Sequence, residues 1–174
     1  NAELLRLSAS SAGNDHRLGA NEAPPAIISA FLGEQLQSIV EQIIEKGEAT
    51  ESPKGKTYVS GASTLPTFTM DATDRNRTSP FAFTGNKFEF RMVGSTQSIA
   101  FPMMVLNTIV ADQIKKMTDE LEGADDFETA CKALIRRELT AHQRIIFNGN
   151  GYSDEWVEEA AKRGLPNIKC MVDA

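Results

Sequence analysis

Between Lys87 and Met92 the chain alternates charged and apolar residues one for one. Phe88, Phe90 and Met92 fall on one side, Lys87, Glu89 and Arg91 on the other. Successive side chains of an extended backbone leave opposite faces, so this period of two predicts a half-buried strand. Helical periods dominate elsewhere. From Pro25 to about Lys46 the apolar residues Ile27, Ile28, Phe31, Leu32, Leu36, Ile39, Val40, Ile43 and Ile44 recur at three- and four-residue spacing, with Glu34, Gln35, Gln37, Glu41 and Gln42 opposite. Pro24 and Pro25 suit the start of this helix and Gly47 its end. Ile99, Met103, Leu106, Val110, Ile114 and Met117 stripe a second helix ending near Leu121. Pro102 is tolerated only in a first turn, which places its start near Ile99. A third helix, capped by Asp125 or Asp126, is expected over 127–147 with Ala130, Leu134, Leu139, Ile145 and Ile146 inward. Ser153 caps a fourth over 154–163, acidic at its start and basic at its end, and Gly164 and Pro166 stop it.

The remaining segments are less periodic. Leu4, Leu5 and Leu7 open a short apolar strand or core segment. Residues 8–25 are rich in small and turn-forming types and read as loop, as do residues 48–61. Leu65 and Phe68 anchor a short strand over Thr64–Met70. No internal repeat is present. Strands and charged loops therefore occupy 1–95 and a helical portion 96–174, an α+β layout.

Composition narrows the function. A net charge of −6 argues against nonspecific nucleic-acid binding, which needs a basic surface to neutralise phosphates. Lys and Arg form no polybasic block for an anionic membrane, and no apolar run reaches membrane-spanning length. No signal-peptide pattern is visible at the start of the chain. Cys131 and Cys170 form no CxxC pair, which fits two reduced, buried or semi-buried thiols in a cytosolic setting. The chain opens without an initiator Met and stops at Cys170-Met-Val-Asp-Ala without a terminating signal, as an excerpt from a longer polypeptide would.

The candidate chemistry gathers in two places. The glycine-bordered loop groups Asp15, His16, Arg17 and Glu22, and charged groups beside flexible hinges favour binding and catalysis. The strand presents Lys87, Glu89 and Arg91 in a row, preceded by Arg75 and Arg77. That face suits a cleft holding a metal together with phosphate or carboxylate oxygens. It also reads as a surface strand laced with ion pairs, because structural networks use the same residue types.

Three stretches carry a family likeness in a fixed order: His16-Arg-Leu-Gly-Ala-Asn-Glu-Ala-Pro, Asp74-Arg-Asn-Arg-Thr-Ser-Pro, and Asn86-Lys-Phe-Glu-Phe-Arg. With the tail Ile145-Ile-Phe-Asn-Gly-Asn-Gly-Tyr-Ser-Asp-Glu-Trp, the chain resembles glutamine synthetase over essentially its whole length, and specifically the long type III class found in bacteria. The first stretch looks like the family's Arg-Leu loop and its Glu-Ala-Pro flap, the second like its Asn-Arg-Ser motif, the third like its basic–x–Glu–x–Arg strand.

The resemblance implies antiparallel strands of a glutamine-synthetase-like catalytic domain followed by a helical layer. It implies ATP-dependent ligation of ammonia to L-glutamate through a γ-glutamyl phosphate, with Mg²⁺ or Mn²⁺ bound. By position, Arg17 would hold the glutamate carboxylate, and Glu22 would lie on the flap and accept a proton from ammonium. Arg77 would contact nucleotide phosphates and the transferring phosphoryl group, and Lys87 would be a phosphate-side cation. Glu89 would be a metal ligand, and Arg91 would hold the side-chain carboxylate or its phosphate. A cytoplasmic, ring-shaped homo-oligomer with no nucleic-acid or membrane partner is further implied.

Two departures stand out. A helix and loop separate Glu22 from the Asn-Arg motif, and Phe81-Ala-Phe occupies the place of a second basic residue, so either another residue serves the nucleotide or the site is arranged differently. The family's first metal glutamates, its nucleotide-side His and its β-grasp domain are not in these residues. His16 is expected to orient its loop and His142 to be solvated or packed, neither as a metal ligand. The chain alone is therefore expected to be inactive. A noncatalytic binding or assembly module retaining this fold, and a related carboxylate–amine ligase, remain the alternatives.

Overall fold

The computed structural model describes residues 1–20, 23–52, 57–58, 68–69 and 79–174. Its secondary structure is α+β, with small sheets among helices. The first turns are helical. Leu4, Leu5 and Leu7 lie in α1 (Ala2–Ser8), which decides against the strand of the expected strand or core segment. The residues it buries are Leu5, Arg6 and Ser8, while Leu4 and Leu7 stay exposed, so spacing of the leucines alone misjudged the period. The following loop holds one further helical turn, α2 (Ala12–Asp15).

The expected helix over 25–46 begins late. Residues before it run extended and form β1 (Ala30–Phe31); the helix α3 is Gly33–Lys46. Gly33 has φ of +79°, which no right-handed helix passes through, so it separates the two. The backbone ahead of it is committed elsewhere. β1 pairs in parallel with β4 (Phe81–Phe83), Ala30 bridges Ile146, and Ile27 bridges Asn167. Asn148 then supplies the cap that the local sequence lacks, its Oδ1 accepting from Leu32 N at 2.9 Å and Gly33 N at 3.1 Å. At the other end Gly47 (φ +87°) closes α3 as expected, its N–H donating to Ile43 O at 2.9 Å. Arg136 adds donors to the Ile44 and Glu45 carbonyls.

Phe68 and Thr69 form β3, which pairs antiparallel with β2 (Thr57–Tyr58). The other residues of the expected Thr64–Met70 strand lie outside the described ones. β4 pairs antiparallel with β5 (Phe88–Phe90), so the larger sheet, β1-β4-β5, is mixed rather than wholly antiparallel.

The helical portion keeps the expected order of three helices. α4 is Ala100–Leu121, and Pro102 sits in its first turn. α5 is Phe127–His142, with Asp126 accepting from Thr129 N at 3.2 Å and from Thr129 Oγ1 at 2.6 Å. It ends five residues short of the expected 147, because Gln143–Ile145 tighten into a 3₁₀ turn and Phe147 N donates to Ala30 O. α6 is Asp154–Lys162, capped by Ser153. α1 packs on α4 and α3 on α5.

A core of Ile27, Trp156, Ala160 and Leu165, flanked by Ile145, Phe147 and Val157, ties the extended entry segment to α6. The stripe expected along α4 is only partly covered: Ile99, Met103, Val110 and Ile114 remain exposed. Cys131 and Cys170 are both free thiols. No described helix is long and apolar enough to cross a membrane.

Candidate functional site

The site is built on the β4–β5 hairpin. Phe81 faces Phe90, Ala82 faces Glu89 and Phe83 faces Phe88 across the ladder, so the aromatic rings share one side and Glu89 lies on the other. The rings close on themselves, Phe81 stacking on Phe88 at 5.5 Å and Phe83 meeting it at 5.3 Å. That side looks onto an apolar recess of about 280 Å³ lined in part by Leu32, Leu36, Ile39 and Phe83. Among the described residues no charged side chain lines it, and the charged row lies on the opposite side. Gly85 makes the turn at φ +95°, and Thr84 N donates to Lys87 O at 2.8 Å.

The expectation of a buried aromatic side needs correction at its tip. Phe88 is 47% exposed, and only Met92, beyond the end of β5, is fully enclosed. The ring contacts of Phe88 are with Phe81 and Phe83 of the same hairpin.

On the ionic side the three charged residues do form a row. Lys87 Nζ lies 3.3 Å from Glu89 Oε1, and Arg91 Nε and Nη2 both lie 3.1 Å from Glu89 Oε2. Their side-chain exposures fall along the strand: 64% for Lys87, 38% for Glu89 and 19% for Arg91. Hydrogen bonds from Arg91, then from Lys87, hold the Glu89 carboxyl below its ordinary value, so it stays ionised at neutral pH. An ionised carboxylate between two cations can donate an oxygen to a hard divalent ion, and the cations can take phosphate or carboxylate oxygens.

Arg17 reaches the backbone just past this strand. Its loop leaves α2, and its Nη2 donates to the carbonyl of Met92 at 2.6 Å, next to Arg91 in sequence. Its Nε donates to Asn14 Oδ1 at 2.9 Å. Nε and Nη2 form one edge of the planar guanidinium. The end fork of Nη1 and the second Nη2 hydrogen has no partner among the described residues, and it is the fork that suits a carboxylate. Beyond Arg17 the loop is drawn back on itself: Leu18 bridges Ala23, and Gly19 N donates to the Ala23 and Pro24 carbonyls.

The described residues thus bring Lys87, Glu89 and Arg91 together in one row and seat Arg17 on the carbonyl of Met92, the residue after Arg91. Glu22 and Arg77, with Arg75, lie outside them. His16 is exposed and makes no side-chain hydrogen bond among the described residues, so it does not orient its loop as expected. Asn14 holds that place instead. His142 is solvated, 3.5 Å from Glu138. No group of three or more His, Cys, Asp or Glu side chains gathers among the described residues.

Known proteins share this arrangement of sequence. Residues 130–174 match the family model of the glutamine synthetase C-terminal domain. The class so defined is the glutamine synthetases, and the chain is homologous to them along essentially its whole length. Within the class, it is similar to the type-3 glutamine synthetase of Dictyostelium discoideum, at 47% identity over 99% of this chain. It is also similar to the glutamine synthetases of Butyrivibrio fibrisolvens (50% identity over 99% of the chain) and Bacteroides fragilis strain YCH46 (46% over 97%). The chain spans about a quarter of the length of these relatives, 24% in each case. The type-3 resemblance therefore extends to a relative outside the bacteria.

Proposed function

We propose that this chain is the part of a longer, cytoplasmic glutamine synthetase that carries the phosphate- and carboxylate-binding strand of the active site. The observation that supports this most is the row Lys87–Glu89–Arg91 with Arg17 seated on the adjoining Met92 carbonyl. A surface ion-pair strand has no need of a second guanidinium held on that backbone with its fork left open.

In this reading Arg17 takes the carboxylate of glutamate through that fork, and Arg91 takes the reacting side-chain carboxylate and then its phosphate. Lys87 and Arg77 neutralise nucleotide phosphates, a task that phosphoryl transfer requires more than covalent help. Glu22, on the flap, accepts a proton from ammonium and excludes water from the acyl phosphate. Glu89 would hold a bound Mg²⁺ or Mn²⁺, which would supply charge neutralisation at the phosphate oxygens. The products are glutamine, ADP and phosphate. A ring-shaped homo-oligomer is part of the same proposal.

The test is an assay of the purified full-length protein with L-glutamate, ammonia, ATP and Mg²⁺. Glutamine and phosphate are expected in equal amounts, and none from the 174-residue chain alone. Phosphate release with another amine but not ammonia would assign it to a different ligase. No turnover with any amine would leave only a binding or assembly role.

A further inference from the structure

We propose that Asn14 is a positioning residue for substrate binding, fixing the Arg17 guanidinium in the orientation that leaves its end fork open. The inference rests on Arg17 being the carboxylate-binding residue of the proposed enzyme. Asn14 is 1% exposed and every polar atom of its side chain is engaged. Its amide Nδ2 donates to Ala9 O at 2.8 Å and to Met92 O at 3.0 Å, and its Oδ1 accepts from Arg17 Nε at 2.9 Å. The same Met92 carbonyl accepts from Arg17 Nη2 at 2.6 Å. Asn14, Arg17 and Met92 therefore close a triangle in which each side is a hydrogen bond.

This geometry exceeds what holding the loop requires. The backbone already does that, since the Asn14 carbonyl accepts from Arg17 N at 3.1 Å and Leu18 N at 3.2 Å. The side chain adds orientation. With only the Met92 carbonyl as partner, the guanidinium could swing about a single hydrogen bond and present either edge. With Asn14 Oδ1 on Nε as well, two fixed acceptors occupy one edge and define where the other points. The amide is suited to this because it donates to two carbonyls and accepts from a cation at once. Aspartate lacks the donors and alanine lacks both functions. Gly94 completes the enclosure: a Cβ there would lie 3.2 Å from Asn14 Oδ1, tight enough to displace the amide slightly.

The experiment is steady-state kinetics of the full-length enzyme carrying Asn14→Ala, Gly94→Ala or Arg17→Ala, with glutamate and ATP each varied. Losing a hydrogen bond to a charged group that acts on substrate binding should raise the glutamate KM about tenfold in Asn14→Ala, with the ATP KM unchanged and kcat little altered. Gly94→Ala, which keeps the amide but shifts it, should raise the glutamate KM about threefold, and serves if Asn14→Ala does not fold. A purely structural role would lower the amount of active enzyme and so the apparent kcat, leaving the glutamate KM at its wild-type value. That result in either variant overturns the proposal. If Arg17→Ala raises the glutamate KM while the other two do not, only the role of Asn14 falls. If Arg17→Ala leaves that KM unchanged, the assignment of Arg17 falls as well.

Discussion

Replacing Glu89 by alanine in the full-length enzyme is expected to lower its rate of glutamine formation by about 10²–10³-fold, the scale on which a single group aimed at developing charge acts. The reasoning begins with the strand. A period of two places Glu89 between Lys87 and Arg91 on one side, and both cations touch its carboxylate. Their hydrogen bonds keep it ionised, so it is available as a hard oxygen ligand. Alanine removes the only negative charge in that row and leaves two cations side by side. Glu89→Gln keeps the shape without the charge and should be nearly as poor. Stability should change little. The Glu89 carboxylate is 38% exposed, and ion pairs open to solvent contribute little to folding. Thermal unfolding of the variant is expected within about 3 °C of wild type. Retention of more than about a third of the wild-type rate would remove Glu89 from the site.

Replacing Trp156 by alanine should act on folding instead, at about 3–5 kcal/mol. Trp156 is 2% exposed and stacks on Phe147 with centroids 3.8 Å apart. The Arg163 guanidinium lies 5.6 Å over its ring, and that arginine also donates to Ile146 O at 3.0 Å. The indole shares its core with Ile27, whose segment leads into β1, and β1 pairs with the hairpin that carries the site. Removing it opens a cavity between α6 and the segment that holds β1 in place. Hydrogen exchange in the full-length protein is the suitable readout, because it reports local opening. Amides of α6 and of residues 27–31 should lose protection together, by about 10²–10³-fold. Loss confined to α6, or none, would show that the core does not join the two.

What could be read from the sequence divides by range. Signals that act within a few residues were legible: a cap at Asp125 or Asp126, of which Asp126 is the one used, Ser153 as a cap, Gly47 as a stop, Pro102 in a first turn. The row Lys87–Glu89–Arg91 was legible for the same reason, since alternation is a property of the local backbone. The segment 25–32 was not. Its apolar spacing suits a helix, but Ala30 is claimed by Phe81 and Ile146, and the cap of α3 arrives from Asn148. Gly33, within the apolar stripe, was the one local sign of a break. α1 was misjudged because three leucines in four residues fit a strand as well as a helix, and the buried Arg6 that completes its inner face is held by Asp15 and by the carbonyls of Ile168 and Lys169.

At the site, the loop around Arg17 was marked by its composition, yet nothing local said that it docks on Met92. Asn14 looked like one more turn residue. Its importance lies in a contact with a residue far along the chain, and only the folded structure supplies that.

The central claim is that the ionic side of β5 meets a metal and its phosphate and carboxylate ligands in the full-length enzyme. A crystal structure of that enzyme with Mn²⁺ and ADP, the ion located by its anomalous scattering, tests it directly. A Glu89 carboxylate oxygen about 2 Å from a bound ion, with the Arg17 fork turned toward the same cleft, is the expected result. Metal sites formed entirely by other carboxylates, with Glu89 still paired to Lys87 and Arg91 against open water, would contradict it.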